Sequence, residues 1–280
     1  LGNTLKELGQ LDAAVKSYEK AVAVNPDYAE AHNNFGATLR ELDQLDAAVK
    51  CYEKALALKP DYADAHANRG NVLKDFKRLD EALASYESAI ALAPDSDFIL
   101  GNVLHTKMNL CIWDDLANRL NELTNKINNG EKVINPFPLL ALIDDPEIQR
   151  KTAEIYASER YPQSHVLSKI ERYPKHKKIR IGYFSADFRD HPVAHLTAEL
   201  YEIHDRNQFE IYAFSCGSDT QDEMNLRIKA GVDHFHDVRT MSYEDTAMLA
   251  RSVELDIAVD LGGFTQDCRP NIFAEGSAPI

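Results

Sequence analysis

Apolar and polar positions in the first 94 residues return at intervals of 34. Gly2, Gly36 and Gly70 share one repeat position, as do Leu11, Leu45 and Leu79; Tyr18, Tyr52 and Tyr86; Ala21, Ala55 and Ala89; and Pro26, Pro60 and Pro94. In each copy the glycine lets two helices approach, the tyrosine and alanines pack between them, and the proline ends the second helix. Each copy therefore predicts a helical hairpin, and stacked copies predict a solenoid with a concave groove. From Asp95 to about Tyr161 the repeat is lost, yet Phe98, Ile99, Val103, Leu104, Met108 and Leu110 keep helical spacing. A further amphipathic run opens at Trp113-Asp114-Asp115, continues to about Ile127 and ends in the turn residues Asn128-Asn129-Gly130. Asn135-Pro136-Phe137-Pro138 is expected to be a non-helical linker, because each proline drives the residue before it into extended backbone.

After Lys175-His176-Lys177-Lys178 the pattern changes to short β-rich runs alternating with helical ones. Strands are predicted at Ile179 to Ser185, Phe209 to Ser215, Phe235 to Val238 and Ile257 to Leu261. Helices are predicted near Val193 to His204, Asp222 to Ala230 and Tyr243 to Val253. This is a βαβ series, which builds a parallel sheet of Rossmann type. Three regions follow: helical repeats over 1–94, a helical continuation and linker over 95–175, and a Rossmann-like α/β half over 176–280.

Composition narrows the possible partners. The 45 acidic residues against 31 basic ones give a formal charge of -14, so the average surface repels a phosphate backbone and nucleic acid is not expected. Cys51, Cys111, Cys216 and Cys268 are widely spaced, which suggests neither a disulfide framework nor a zinc knuckle and fits a reducing, cytoplasmic setting. No run reaches the roughly 18 apolar residues of a membrane span, and no signal peptide is evident, so no membrane partner is expected. Leu1 in place of methionine and an α/β series that stops at Ile280 read as the cut ends of a fragment, with further repeats expected before Leu1.

In a parallel sheet, ligands sit outside the carboxyl ends of the strands, so the chemistry is sought in the loops that follow them. The first loop is Ala186-Asp187-Phe188-Arg189-Asp190-His191-Pro192. Pro192 suits the first helical position and places His191 at the cap. The positive end of the helix there favours a neutral ring, which can accept a proton from a hydroxyl as a general base. His195 follows one helical turn later and could face the same cleft. A second loop runs from Gly262 to Arg269, where paired glycines permit close approach of a ligand and Arg269 could meet a charged group. Metal binding by His191 and His195 is disfavoured, because Pro192 stands where a His-Glu-x-x-His pattern has its glutamate. His234 and His236 share a strand face without an evident third ligand. Asp95-Ser96-Asp97 could mimic a metal-binding Asp-x-Asp pair, but it directly follows a repeat proline and reads as a helix cap.

The 34-residue unit resembles the tetratricopeptide repeat. The run Ile179-Arg180-Ile181-Gly182-Tyr183-Phe184-Ser185-Ala186-Asp187-Phe188, then His191-Pro192-Val193-Ala194-His195-Leu196, and later Gly263-Phe264-Thr265 with Arg269, resembles the start of the catalytic domain of the protein O-GlcNAc transferase family. Pro136 to Leu142 is similar to bacterial members.

The resemblance implies an α-helical tetratricopeptide solenoid followed by the N-terminal lobe of a two-Rossmann (GT-B) glycosyltransferase. It implies inverting transfer of N-acetylglucosamine from UDP-N-acetylglucosamine to serine or threonine of a protein held in the repeat groove, with no metal and no cofactor beyond that donor. Catalysis then falls to His191, substrate binding to His195, Gly263, Thr265 and Arg269, and peptide contact to Asn34 and Asn68, which match the asparagine ladder of the groove. Residues that hold UDP belong mostly to a second lobe beyond Ile280, so the fragment alone is expected to be inactive. The same fold could instead transfer fucose to proteins or hexose to asparagine, or serve as an inactive peptide-binding scaffold.

Overall fold

The computed structural model describes residues 1–7, 10–162, 167–170, 173–265 and 268–280. It divides into two compact units, Leu1–Ile155 and Tyr156–Ile280. A helical repeat region is followed in sequence by a small parallel sheet.

The repeats form three hairpins: α1 (Gly2–Glu7) with α2 (Leu11–Val24), α3 (Ala29–Glu41) with α4 (Leu45–Leu58), and α5 (Ala63–Asp75) with α6 (Leu79–Leu92). Their contact depends on the glycine and tyrosine positions. A Cβ placed on Gly2, Gly36 or Gly70 would lie 2.7, 2.8 or 2.7 Å from the ring of Tyr18, Tyr52 or Tyr86. All three rings are buried, and the ring atoms fill the space a methyl group would need. Each proline drives the residue before it out of helical geometry, as at Asn25 (φ -132°, ψ 90°), and so ends the second helix. His32 and His66, one repeat apart, each set Nε2 2.9 Å from the carbonyl oxygen of Pro26 or Pro60, which fastens the turn between hairpins.

Two expectations for the segment after the repeats are corrected. Asp95-Ser96-Asp97 does not cap α7 (Ile99–Asn109), whose N-cap is Phe98 in left-handed backbone (φ 64°) with no side-chain bond. The amides of Phe98 and Gly101 instead donate to the carbonyls of Lys132 (2.6 Å) and Val133 (2.8 Å), so a distant backbone segment does the work expected of the aspartates. Asp95 and Asp97 pair with Lys126 and Lys132 at 3.4 and 3.7 Å. After α8 (Leu116–Asn128), Pro136–Leu139 forms the short helix α9 and is not a linker. The prolines occupy its first turn, where amides have no helical acceptor and their loss costs nothing. Val133, Ile134 and Leu139 are buried with Leu100, Leu104, Leu123 and Ile127, so this stretch is part of the core. Helix α10 (Pro146–Arg160) follows.

In the second unit β1 (Ile179–Ser185), β2 (Phe209–Ser215), β3 (His234–Asp237) and β4 (Ile257–Asp260) form a parallel sheet in the order β3-β2-β1-β4. Helices α11 (Pro192–Ile203), α12 (Glu223–Gly231) and α13 (Tyr243–Ser252) connect the strands, and α14 (Asn271–Ala274) follows β4. Alternation along the strands assigns the two faces. Ile181, Tyr183, Ile211 and Ala213 pack with Ala194, Ala198 and Tyr201 of α11 and Ile228 of α12. Phe184, Tyr212 and Phe214 pack on the other face with Ala250, Leu255 and Ile272. Both faces are therefore covered, as a parallel sheet requires.

At the amino end of β1, His176 sets Nδ1 3.1 Å from Asp256 and Nε2 2.9 Å from Glu254, and Arg180 lies 3.2 Å from Glu254 and 3.1 Å from Glu210. The hydrogen bond to Asp256 first, and that to Glu254 second, hold the imidazolium and raise the His176 pKa above its ordinary 6.5.

Two outcomes are expected. A Gly70→Ala change gains about 1 kcal/mol of helix propensity but overpacks the buried Tyr86 ring at a cost of about 1–3 kcal/mol. Denaturant unfolding should therefore show a loss of up to about 2 kcal/mol, and a clear gain would refute the packing role. Since the His176 pKa is raised, its stabilisation is complete below about pH 6.5 and is lost as pH rises through the raised value. The melting-temperature gap between wild type and His176→Gln should be widest near pH 6 and narrow as pH rises through the raised value.

Candidate functional site

The loop after β1 is shaped by its own short-range bonds. The Asp187 amide donates to Ser185 Oγ at 2.9 Å, and Phe188 (1% exposed) fills the core beside Tyr201. His191 has extended backbone (φ -153°, ψ 147°) and is the N-cap of α11, with Pro192 at the first helical position. Its Nδ1 accepts the Val193 amide at 3.3 Å, while its carbonyl accepts the His195 amide at 3.1 Å. The ring is partly open to solvent, with 35% of the side chain exposed, so it can meet a substrate.

Asp187 stands behind that ring. Its Oδ2 is 3.5 Å from His191 Nδ1, and its Oδ1 is 3.5 Å from Arg189 Nη2. Val193 N–H and Asp187 compete for one nitrogen, and the outcome selects the tautomer. When Nδ1 accepts from Val193, a neutral ring carries its proton on Nε2 and is a donor outward. When Nδ1 carries the proton towards Asp187, Nε2 has a free lone pair and is an acceptor outward. Asp187 was not singled out in the sequence, although it lies four residues before His191 in the same loop.

The second loop follows β4, the neighbour of β1 in the sheet, and the Leu261 amide donates to the Phe184 carbonyl at 3.1 Å. Both loops thus leave the sheet side by side. Gly263 has left-handed backbone (φ 57°), and a Cβ there would meet nothing within 4 Å. At Gly262 a Cβ would lie 2.1 Å from Cys268 Sγ. Thr265 Oγ1 lies 2.9 Å from the Gly262 carbonyl and 2.9 Å from Cys268 Sγ, which closes the loop on itself. Burial pushes the Cys268 thiol pKa up, and the carboxylates of Asp260 and Asp187 add to the effect. Gln266 and Asp267, also in the predicted loop, lie outside the described residues.

Arg269 Nη1 and Nη2 donate to the carbonyls of Val238 (2.8 Å) and Met241 (2.6 Å), and its guanidinium carbon lies 4.8 Å from the Tyr243 ring centroid. It braces the connection between β3 and α13. Phe264 meets Tyr156 edge-on (centroids 5.5 Å) and stacks with Tyr161 (6.4 Å). This aromatic group left no local trace in the sequence, because Phe264 lies about a hundred residues from Tyr156 and Tyr161.

The other histidines singled out in the sequence are engaged elsewhere. His195 is 57% exposed and sets Nε2 2.8 Å from Asp190. His234 pairs with Glu210 at 3.1 Å, and His236 stacks between Tyr212 and Phe214. Among the described residues no group of three or more His, Cys, Asp or Glu is placed to hold a metal. In the repeat unit Asn34 and Asn68 are joined through a third residue. Asn68 Nδ2 donates to Asn33 Oδ1 (3.0 Å), Asn33 Nδ2 to Asn34 Oδ1 (3.2 Å), and Asn34 Nδ2 to Asn3 Oδ1 (3.2 Å). Four asparagines thus form one directional chain of amides across the three hairpins. Asn33, 5% exposed, was not expected as a member.

The two units together define a class: a helical repeat array followed in sequence by a parallel α/β sheet of Rossmann type. Comparison with known proteins gives the family. Residues 154–280 match Glycosyl transferase family 41, residues 2–43 and 36–75 match the TPR repeat, and residues 63–96 match the tetratricopeptide repeat. The chain is 31% identical over 194 residues to the probable UDP-N-acetylglucosamine–peptide N-acetylglucosaminyltransferase SEC of Arabidopsis thaliana, covering 64% of this chain and 20% of that protein. It is 29% identical over 107 residues to the UDP-N-acetylglucosamine–peptide N-acetylglucosaminyltransferase of Caenorhabditis elegans, covering 37% and 9%. A mutant O-GlcNAc transferase of Thermobaculum terrenum shares the fold with TM-score 0.52 at 24% identity, covering all of this chain and 48% of that one. Residues 154–280 therefore match a glycosyl transferase family 41 domain behind tetratricopeptide repeats, and the chain is homologous to O-GlcNAc transferases. It spans a fifth or less of the length of these two relatives.

The cap role of His191 can be measured separately from any chemistry. His191→Ala should lower stability by about 0.5–2 kcal/mol, and His191→Asn, whose side chain also caps, should recover most of that loss in thermal unfolding. Equal stability of all three proteins would show that the Val193 bond contributes nothing.

Proposed function

We propose that this chain is the acceptor-side part of a protein O-linked N-acetylglucosaminyltransferase. The repeat groove, with Asn34 and Asn68 on its asparagine chain, presents a polypeptide, and the loops after β1 and β4 receive its serine or threonine hydroxyl. The observation that carries this reading is the placement of His191. It stands at a carboxyl-end helix cap, partly exposed, with a carboxylate behind Nδ1. A base oriented by a third group is the arrangement that activates a hydroxyl.

In the productive tautomer Nδ1–H points to Asp187 and Nε2 accepts the hydroxyl proton. The oxygen then forms a bond to the anomeric carbon of UDP-N-acetylglucosamine as the bond to UDP breaks on the opposite face, and UDP leaves with the electron pair. The imidazolium so formed lies against the Asp187 carboxylate, which offsets its charge. Gly263 leaves open space beside the same edge of the sheet, and its left-handed backbone holds that opening without a side chain. Thr265 and Arg269 keep this loop in shape, so their part in substrate binding is indirect. His195 is the exposed histidine nearest in sequence and can contact the acceptor from α11. No step requires a metal.

In the intact protein, transfer of labelled N-acetylglucosamine to protein acceptors should be lost about a hundredfold or more in both His191→Ala and His191→Asn. Binding of an acceptor peptide to the repeats should persist in both. Asparagine restores the cap and not the base, so full transfer by His191→Asn would remove His191 from the chemistry. Transfer only from GDP-fucose or UDP-glucose would reassign the donor, and peptide binding without transfer from any donor would leave a scaffold.

A further inference from the structure

The loop that carries His191 is held by residues of the connection between β2 and α12. Asp222 caps α12, its Oδ1 accepting the Asn225 amide at 2.8 Å. Its other oxygen crosses to the β1 loop and accepts the Asp190 amide at 2.9 Å. The Thr220 hydroxyl donates to the same oxygen. Asn225, 1% exposed, donates Nδ2 to the Phe188 carbonyl at 2.6 Å. The two side chains thus hold the peptide on either side of Arg189, immediately before the cap residue.

Backbone contacts from the same connection support the start of the loop. The Cys216 amide donates to the Ser185 carbonyl at 2.9 Å, and a Cβ on Gly217 would lie 1.8 Å from the Ala186 carbonyl oxygen. The Thr220 hydroxyl, then the Asn225 and Asp190 amides, lower the Asp222 carboxyl pKa to about 2. It is therefore ionised at neutral pH, and its bonds are of the stronger charge-assisted kind.

We infer that Asp222 and Asn225 are positioning residues that fix the His191 loop, so that Nδ1 stays in register with Asp187 and the Val193 amide; this rests on the reading of His191 as the base. The bond to the cap's own helix does not provide that register, because it restrains His191 only relative to α11. A ring displaced by about 1 Å from a reacting hydroxyl loses about a hundredfold in rate.

Asp222→Asn separates the two tasks of this side chain. Asparagine still caps α12 through its oxygen, but its NH2 group faces the Asp190 N–H, donor against donor. Asp222→Ser is a second variant that keeps a cap and merely drops the crossing bond. In the intact protein, amide exchange of residues 187–191 should accelerate in both variants, with melting temperature close to wild type. The kcat for transfer should fall about tenfold to a hundredfold with little change in donor KM. In a His191→Ala background, Asp222→Asn should cause no further loss, since it acts through the missing ring.

Unchanged exchange in both variants overturns the inference, as does a full additional loss in the His191→Ala background. Normal transfer by Asp222→Asn beside a defective His191→Ala overturns the inference alone. Normal transfer by His191→Ala overturns the reading of His191 and, with it, the catalytic part of the inference, while the exchange measurement still decides whether Asp222 holds the loop.

Discussion

A helix cannot satisfy the amides of its own first turn, and at α11 that requirement falls on an imidazole. His191 accepts the Val193 amide through Nδ1, so the ring is anchored at the carboxyl end of β1 with its opposite edge available. Capping is more often done by serine, threonine, aspartate or asparagine. Using histidine here ties local helix energetics to a ring whose second nitrogen can donate or accept a hydrogen bond. Asp187 then competes with the helix for the same nitrogen, which lets the ring switch between offering a proton and accepting one.

That competition is meaningful only if the loop holds still. The Ser185 hydroxyl restrains it from within, and the β2–α12 connection restrains it from outside. The parallel register brings these parts together, because Ser185 and Ser215 are paired at the ends of adjacent strands. The loop after β4 joins on the other side of β1, where Phe184 pairs with Asp260. Residues far apart in sequence thereby meet at one edge of the sheet, the usual ligand position in this architecture.

The repeat unit solves a different problem with similar means. Glycine and tyrosine set how closely two helices approach, and the prolines set where each hairpin ends. The polar side chains between hairpins satisfy one another in sequence, from Asn68 through Asn33 and Asn34 to Asn3. A directed row of amides leaves hydrogen-bonding capacity at each member, since every asparagine has two donors and an acceptor with two lone pairs.

Periodicity by itself determined most of the architecture. The interval of 34 gave the hairpins, and alternation gave four strands within a residue or so of their observed limits, because both patterns reflect burial that is local in origin. The cap position of His191 was also legible, since Pro192 marks the helix start and the cap bond spans two residues. Where the sequence misled, a distant backbone had replaced a local partner. The carbonyls of Lys132 and Val133, rather than Asp95 or Asp97, satisfy the start of α7, and burial of Leu139 draws a proline-rich stretch into a helical turn. Tertiary structure alone decided that Asp222 and Asn225 hold the His191 loop, that Arg269 braces backbone carbonyls, and that Asn33 links Asn34 to Asn68. These are bonds between groups brought together by packing, and no local pattern of residues records which of many possible partners the fold will supply.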